Sequence, residues 1–436
     1  MDSLWTATAQ DVKFNRMAGD MKTDTLIIGG GIAGILTAYM LRRRGVDCVL
    51  LEADRICSGI TKNTTAKITL QNGLIYEKII SRYGLESAER YLQAQIKASE
   101  KYRELCQKID CDYEIRPSYV YSRTKSGRER LEKEARALER LGYPSSLCDE
   151  LELPIKTTGA IRVDGQAQFH PLKFLYKIAE GLPIYENTKV FELRPGVAIT
   201  ERGRVKAENI IVATHFPFIN KHGSYFLKMY QHRSYVIALE GARQLDGMYV
   251  DEDIKGLSFR EAGELLLLGG GSHRTGKGGG GWSELRAFAN AHYADAVEKY
   301  HWATQDCMTL DGIPYIGRYS SRTENLFVAT GFNKWGMTSS LVSAIILSDL
   351  VRGVKNEWAE VFSPSRSILH PQLLVNGIES VLGLITPSVR RCPHLGCALK
   401  YNRAEHSWDC PCHGSRFAED GSLIDNPATD DRRPLN

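Results

Sequence analysis

The stretch DTLIIGGGIAGILTAYMLRRRGVDCVLLE, residues Asp24 to Glu52, decides the fold. Its apolar run Leu26-Ile27-Ile28 reads as a buried strand that stops at Gly29-Gly30-Gly31-Ile32-Ala33-Gly34, a G-x-G-x-x-G leading straight into a helix-like run. Strand, tight turn and helix N-terminus in that order place backbone N–H groups and the positive end of a helix dipole where a pyrophosphate can sit. The glycines allow an approach that side chains would block. A second apolar run, Cys48 to Leu51, ends in Glu52, about 20 residues past the glycines, where a carboxylate can accept from a ribose hydroxyl and disfavours a 2′-phosphate. The two flanking strands and the acid favour dinucleotide binding over a purely structural glycine turn.

Around this stretch the chain has 436 residues, enough for two or three domains with a sizeable core. A net charge of +4 gives a nucleic-acid or polyanion role no compositional support. No apolar run approaches the roughly 20 residues of a membrane span. The opening MDSLWTATAQDVKFNRMAGD lacks the basic start and apolar core of a secretory signal, so a cytoplasmic location is expected. Six of the ten cysteines, Cys48, Cys57, Cys106, Cys111, Cys148 and Cys307, are scattered and read as reduced thiols. The other four are packed between residues 392 and 412.

Downstream, Ser58 to Lys67 (SGITKNTTAK) is a polar loop suited to hydrogen-bonding a cofactor. Residues 85–110 and 126–142 have helical periodicity with dense charge, and SYVYSRT between them alternates like a strand. A helix is expected after Phe169-His170-Pro171. Ile184 to Thr214 reads as several strands with a polar hairpin at ITERGRVKAE, its last strand placing Ala213 and Thr214 beside the cofactor. Strands at 234–268 have an antiparallel signature unlike the opening unit. Gly271 to Lys277, GSHRTGK, matches a phosphate-binding G-x-x-x-x-G-K, yet Gly278 stands where a Ser or Thr is required. Gly279 to Gly281 are poor helix starters, so a flexible surface or lid loop is expected.

A turn-rich apolar segment, Asp306 to Gly317 (DCMTLDGIPYIG), precedes Asn325 to Thr338 (NLFVATGFNKWGMT) and a long apolar helix. Strand, glycine turn and helix thus occur a second time. The helix N-terminus near Gly336 to Thr338 offers unpaired N–H donors and partial positive charge, suited to a reduced flavin ring.

Four separated motifs, GGGIAG with Glu52, NTTAK, DCMTLDGIPYIG and ATGFNKWGMTSS, make the chain from about Leu4 to Arg366 resemble the glycine oxidase/D-amino-acid oxidase (DAO) superfamily of flavoproteins. The opening SLW, the FHP at 169–171 and the terminal cysteine motif resemble a subgroup that adds an iron–sulfur motif. The resemblance implies an α/β fold: a Rossmann-type FAD-binding part at about 20–80, 160–225 and 305–355, and an antiparallel-sheet substrate part at about 81–159 and 226–304. Together these make up residues 1–366. It implies FAD held in extended form by Gly29, Gly31, Ile32, Ala33, Gly34, Glu52 and Ala53, then Thr61, Thr64, Thr65 and Ala66. Val190, Ala213, Thr214, Gly331, Gly336, Met337 and Thr338 complete the expected set. It implies substrates with an oxidisable C–N bond, amines or amino acids, whose hydride leaves for flavin without an obligatory general base. His273, Lys334 and Trp335, with Arg274 and His170, are the polar or aromatic candidates near the expected pocket, though each is more often ordinary packing chemistry.

The C-terminal motif is Cys392-Pro393-His394-Leu395-Gly396-Cys397, then Cys410-Pro411-Cys412-His413-Gly414-Ser415. One Cys and one His on each arm suit a Rieske [2Fe–2S] centre, with Cys392 and Cys410 on one iron and His394 and His413 on the other. Neutral imidazoles in place of two thiolates raise its potential. A zinc site of the same residues would ordinarily use simpler spacing. The extra pair, Cys397 and Cys412, resembles the disulfide of respiratory-type Rieske proteins, which implies a Cys397–Cys412 bond and electron transfer rather than oxygen activation. Residues 367–391 are expected to be a linker, leaving 392–436 as a small, truncated all-β lobe that packs on the flavoprotein body, on another subunit, or depends on iron. LLVNGIESVLGLI within the linker could be a short helix or a strand pair.

These parts lead to an FAD-dependent oxidoreductase in which flavin and cluster exchange single electrons with a one-electron donor or acceptor protein or carrier, in either direction. An electron-transfer or reductase component serving a separate enzyme is the rival reading, weakened because only one dinucleotide fingerprint is visible. A homo-oligomer is compatible with both.

Overall fold

The computed structural model describes residues 3–219 and 222–430; residues 1–2, 220–221 and 431–436, the last group belonging to the expected C-terminal lobe, lie outside the described residues. The strand Met21–Ile28 lies inside an eight-stranded sheet, parallel to Cys48–Leu51 on one side and to Gly203–Val212 on the other, with Leu326–Thr330 parallel beyond. Its run Leu26-Ile27-Ile28 has no polar alternation because both faces are covered, the usual consequence of parallel pairing. The helices Ile32–Arg43 and Gly336–Val351 pack against each other and bury most of their residues. Gly34 lets the first helix sit close on the strand and turn before it: a Cβ there would lie 1.9 Å from the Gly29 carbonyl oxygen.

The second sheet has nine strands and is mainly antiparallel. Val297–Thr309, Met229–Glu240 and Leu265–Arg274 form one half, and Ser258–Ala262, Met248–Asp251, Glu114–Ser122, Gly159–Gln168 and Lys67–Ile68 continue it, with Ser146–Cys148 paired at the side. The charged periodic segments are the helices Leu85–Cys106 and Lys125–Arg140, and the helix expected after Pro171 is Pro171–Ala179, with His170 as its N-cap. Gly159–Gln168, assigned from sequence to the dinucleotide part, pairs with Glu114–Ser122 and belongs to the antiparallel sheet.

Two local expectations are corrected. Gly271 to Arg274 is the end of the buried strand Leu265–Arg274, and the expected surface loop is confined to Thr275 to Gly280, exposed at Lys277 to Gly279. The glycines 279–281 do precede a helix, Gly281–His292, because Trp282, Leu285 and Ala289 bury their side chains and offset the poor start. The Asp306 end of the turn-rich segment is likewise the last turn-free part of the strand Val297–Thr309.

The segment expected to be a linker contains the helix Pro371–Ile385. After it comes a four-stranded antiparallel sheet of three-residue strands, Lys400–Asn402, Ser407–Asp409, Arg416–Ala418 and Leu423–Asp425, with its own small core of Leu399, Phe417 and the four clustered cysteines. The fold is therefore mixed α/β: a parallel sheet, a curled antiparallel sheet and a small C-terminal antiparallel sheet.

Candidate functional site

A cavity of about 860 Å³ runs between the two large sheets. At one end the first glycine turn meets it through Gly29, Gly31, Ile32 and Ala33, and Glu52 and Ala53 close the corner. The helix beginning at Ile32 has Gly31 as its N-cap and no capping side chain, so its first turn presents N–H donors. The Glu52 carboxylate accepts from Gly30 N at 2.6 Å and Asp54 N at 2.9 Å, and burial raises its pKa. One oxygen is thereby fixed against the turn at the distance along the chain that a ribose contact requires. Further along, Thr61, Thr64, Thr65, Val190, Ala213 and Thr214 line the wall, with Gly331, Gly336 and Met337 at the far end. The helix starting at Gly336 also lacks a capping side chain, so a second positive helix terminus faces the same space.

Three expected contacts lie elsewhere. Gly34 serves helix packing, Ala66 is buried and gives its carbonyl to Arg260 Nη1 at 2.8 Å, and Thr338 donates to the Thr69 carbonyl at 3.2 Å. The uncapped helix, the carboxylate at the second strand and the length of the cleft together fit an extended dinucleotide.

The polar candidates separate clearly. Lys334 and Trp335 line the cavity. Lys334 donates to Ser234 Oγ at 2.9 Å, and burial lowers its pKa to about 8 against the opposing pull of Asp306. Asp306, Ser234 and Ser272 line the same wall, and burial raises Asp306 to about 6. A carboxylate and an ammonium group in one enclosed pocket can orient a zwitterion. His273 is not there: its Nε2 meets Tyr235 Oη at 3.1 Å and its Nδ1 the Arg274 carbonyl at 2.9 Å. His170 caps a helix and touches Thr8 Oγ1 at 2.9 Å. Arg274 holds the C-terminal lobe, donating to the carbonyls of Pro411 and Cys412, each at 3.2 Å.

In that lobe the motifs CPHLGC and CPCHGS make the same turn twice. Gly396 N donates to the Cys392 carbonyl at 2.8 Å and Gly414 N to that of Cys410 at 2.9 Å, both glycines at positive φ. Cys392 N donates to the Cys397 carbonyl and Cys410 N to that of Ser415. The paired turns bring the imidazoles of His394 and His413 to 5.0 Å between ring centroids. His413 Nδ1 is buried without a hydrogen-bond partner, as a ligand atom would be. Burial lowers both histidines, to about 4 and about 3, which keeps them neutral and able to bind metal. The sulfurs of Cys397, Cys410 and Cys412 lie within 4.8 Å of one another, and the Cys392 thiol interacts with that of Cys410. The donor set fits an iron–sulfur centre. The expected Cys397–Cys412 disulfide is not formed: both are free thiols, and that of Cys412 donates to the Glu379 carbonyl at 3.6 Å.

The lobe is fastened to the antiparallel sheet beside the cavity. Gln231 Nε2 donates to the His413 carbonyl at 3.2 Å and the Asn426 carbonyl at 2.8 Å, and Gln305 Nε2 to the Gly414 carbonyl at 2.9 Å. Arg233 and Arg416 both pair with Glu405 in buried surroundings. Leu423 to Asn426, with Ala428 and Thr429, form part of the cavity wall. Gln231, Gln305 and Asn426 carry no local sequence signal, and Asp306, although it opens the DCMTLDGIPYIG motif, has nothing local to mark it as a pocket residue.

The chain belongs to the DAO family of FAD dependent oxidoreductases, whose model matches residues 24–350, and carries a Rieske [2Fe-2S] domain at 382–435. Among known proteins it is 35% identical over 98% of its length, and 96% of the relative's, to YhfW of Bacillus subtilis (strain 168), a protein named for a Rieske 2Fe-2S iron-sulfur centre. It is 25% identical over 80% of its length to the gamma-glutamylputrescine oxidoreductase of Escherichia coli (strain K12), covering 89% of that protein. The glycine oxidase of Geobacillus kaustophilus shares the fold at a TM-score of 0.67 and 21% identity, over 80% of this chain and 99% of that one.

Proposed function

We propose that the protein oxidises a C–N bond of an amine or amino acid with FAD and exchanges the electrons one at a time with a Rieske [2Fe–2S] cluster held by Cys392, His394, Cys410 and His413. The observation that carries this reading is a shared wall: Asp306 and Lys334, the dinucleotide turn and residues Leu423 to Asn426 of the C-terminal lobe all face one cavity. The names of the gamma-glutamylputrescine oxidoreductase and the glycine oxidase support the substrate class. When bound, FAD supplies a two-electron acceptor and the cluster a one-electron carrier.

The residues divide the remaining work. The N–H groups at Ile32 attract the pyrophosphate and Glu52 takes a ribose hydroxyl. The helix terminus at Gly336 stabilises negative charge at the far end. Lys334, aided by Ser234 and Ser272, binds a substrate carboxylate, while Asp306 orients the nitrogen and can take its proton. Gln231 and Gln305 hold the second cluster turn against the sheet. Anaerobic spectra of the purified protein with a panel of amines and amino acids test the reading. Bleaching of the flavin by members of the panel is expected; bleaching by NADH or NADPH alone would replace it with a reductase role.

A further inference from the structure

The helix Pro371–Ile385 faces the wrong way for an ordinary surface helix. Its buried positions are the polar Asn376 and the small Gly383, whereas Leu374, Val375, Ile378, Val381, Leu382 and Ile385 are exposed. Exposure reaches 73% at Leu374 and 67% at Ile385. The strip extends past both ends of the helix, to Leu369 at 79% and Val389 at 78%. Leu395, next to the cluster residue His394, and Leu227, on the short helix packed alongside, are exposed as well. A contiguous aliphatic face of this kind is unusual on a free surface.

Charge selects the occupant. From residue 366 to residue 400 the chain carries Arg366, Arg390, Arg391 and Lys400 but a single acid, Glu379. Arg366 is turned inward to Asp311, and Glu379 is paired with Lys277 at 2.7 Å. Arg391 is exposed at the C-terminal end of the helix, donating to the Leu384 and Gly396 carbonyls, and Lys400 is exposed on the adjoining strand. An aliphatic ridge with a basic rim matches the boundary of an anionic bilayer, where acyl chains accept the ridge and headgroups accept the cations. A protein partner would be expected to meet an aromatic or pocketed centre, and the exposed helix face is Leu, Val and Ile alone.

We propose that this helix seats the protein on an anionic lipid surface, lying in the plane of the interface with the His394 loop beside it. Among the described residues no helix is long and apolar enough to cross a membrane, so the attachment is peripheral. It places the cluster lobe at the lipid boundary, within reach of lipid-dissolved carriers.

The test is flotation of the full holoprotein with phosphatidylglycerol–phosphatidylcholine vesicles and with phosphatidylcholine vesicles. Binding to the mixed vesicles is expected, falling about tenfold or more in Ile378→Glu and, independently, in Leu374→Glu, and weakening with salt. Both positions are exposed, and an unchanged far-UV spectrum and melting temperature show that each variant is folded. No binding of the native protein, or binding that both variants retain, would overturn the proposal. So would a native dimer that either variant converts to a monomer, which would assign the face to a second copy.

Discussion

The side-chain amide of Asn426, in the C-terminal lobe, donates to the backbone carbonyl of Thr214 at 3.0 Å, and Thr214 lies two residues past the strand Gly203–Val212 of the dinucleotide sheet. The same amide reaches the Phe216 carbonyl at 2.7 Å. One residue of the lobe thus pins the edge of the cofactor cavity. Asn426→Ala removes the amide donor from the Thr214 carbonyl, while the Phe216 carbonyl keeps the Thr214 hydroxyl at 3.0 Å, at a cost of about 1–3 kcal/mol. The expected result is an FAD dissociation constant raised about tenfold or more, read from flavin fluorescence released on dilution, with iron content unchanged.

The buried Glu405 stands between two arginines, Arg233 on the sheet and Arg416 within the lobe. Glu405→Ala strands Arg233, whereas Arg416 keeps Asp409 at 3.0 Å and Asp425 at 3.1 Å, and removing one member of a buried ion pair costs about 3–5 kcal/mol. Limited proteolysis is expected to cut the variant between the DAO-like body and the lobe under conditions where the native protein resists. The body itself should keep its flavin.

Asp306 and Lys334 predict a pH profile. Substrate needs the carboxylate at Asp306, which titrates at about 6, and the ammonium at Lys334, which titrates at about 8, so kcat/KM should rise through the first value and fall through the second. Lys334→Met should raise KM for carboxylate substrates more than for simple amines. Stability follows the shifts. Asp306 is raised from 3.8, so the folded chain holds the extra proton up to about pH 6, and stability falls as pH rises through that window. Lys334 is lowered from 10.5, so the unfolded chain holds more protons above about pH 8, and stability rises with pH there. Thermal melts across pH should lose the first slope in Asp306→Asn and the second in Lys334→Met.

Gly34 tests the dinucleotide turn separately. A methyl group at this position would overlap the Gly29 carbonyl oxygen at 1.9 Å, a strain of about 1–3 kcal/mol placed on the turn itself. Gly34→Ala is expected to purify without flavin while retaining its iron, as measured by absorbance and metal analysis.

What was legible in the sequence was whatever chemistry is local. The glycine turn with Glu52, the second strand–turn–helix at Gly336 and the two cluster turns are each written in a few consecutive residues whose spacing is their geometry. Asp306, Ser234 and Ser272 were not legible as a group, because three different strands bring them to one wall. The same holds for Gln231, Gln305 and Asn426, which meet only where the lobe docks. The GSHRTGK segment misled for another reason: glycines that suggest a loop also suit a strand pressed on both faces. The apolar run after Pro371 gave a helix, but its outward orientation depends on what the lobe leaves uncovered.

The most direct test of the central claim, that one cavity couples a flavin to a cluster, is electron paramagnetic resonance of the anaerobic protein after a single addition of a flavin-bleaching amine or amino acid. The signal of a reduced Rieske centre is expected to grow at the expense of reduced flavin, with Gln231→Ala and Gln305→Ala slowing its appearance. Fully bleached flavin beside a cluster that stays oxidised indefinitely would contradict it.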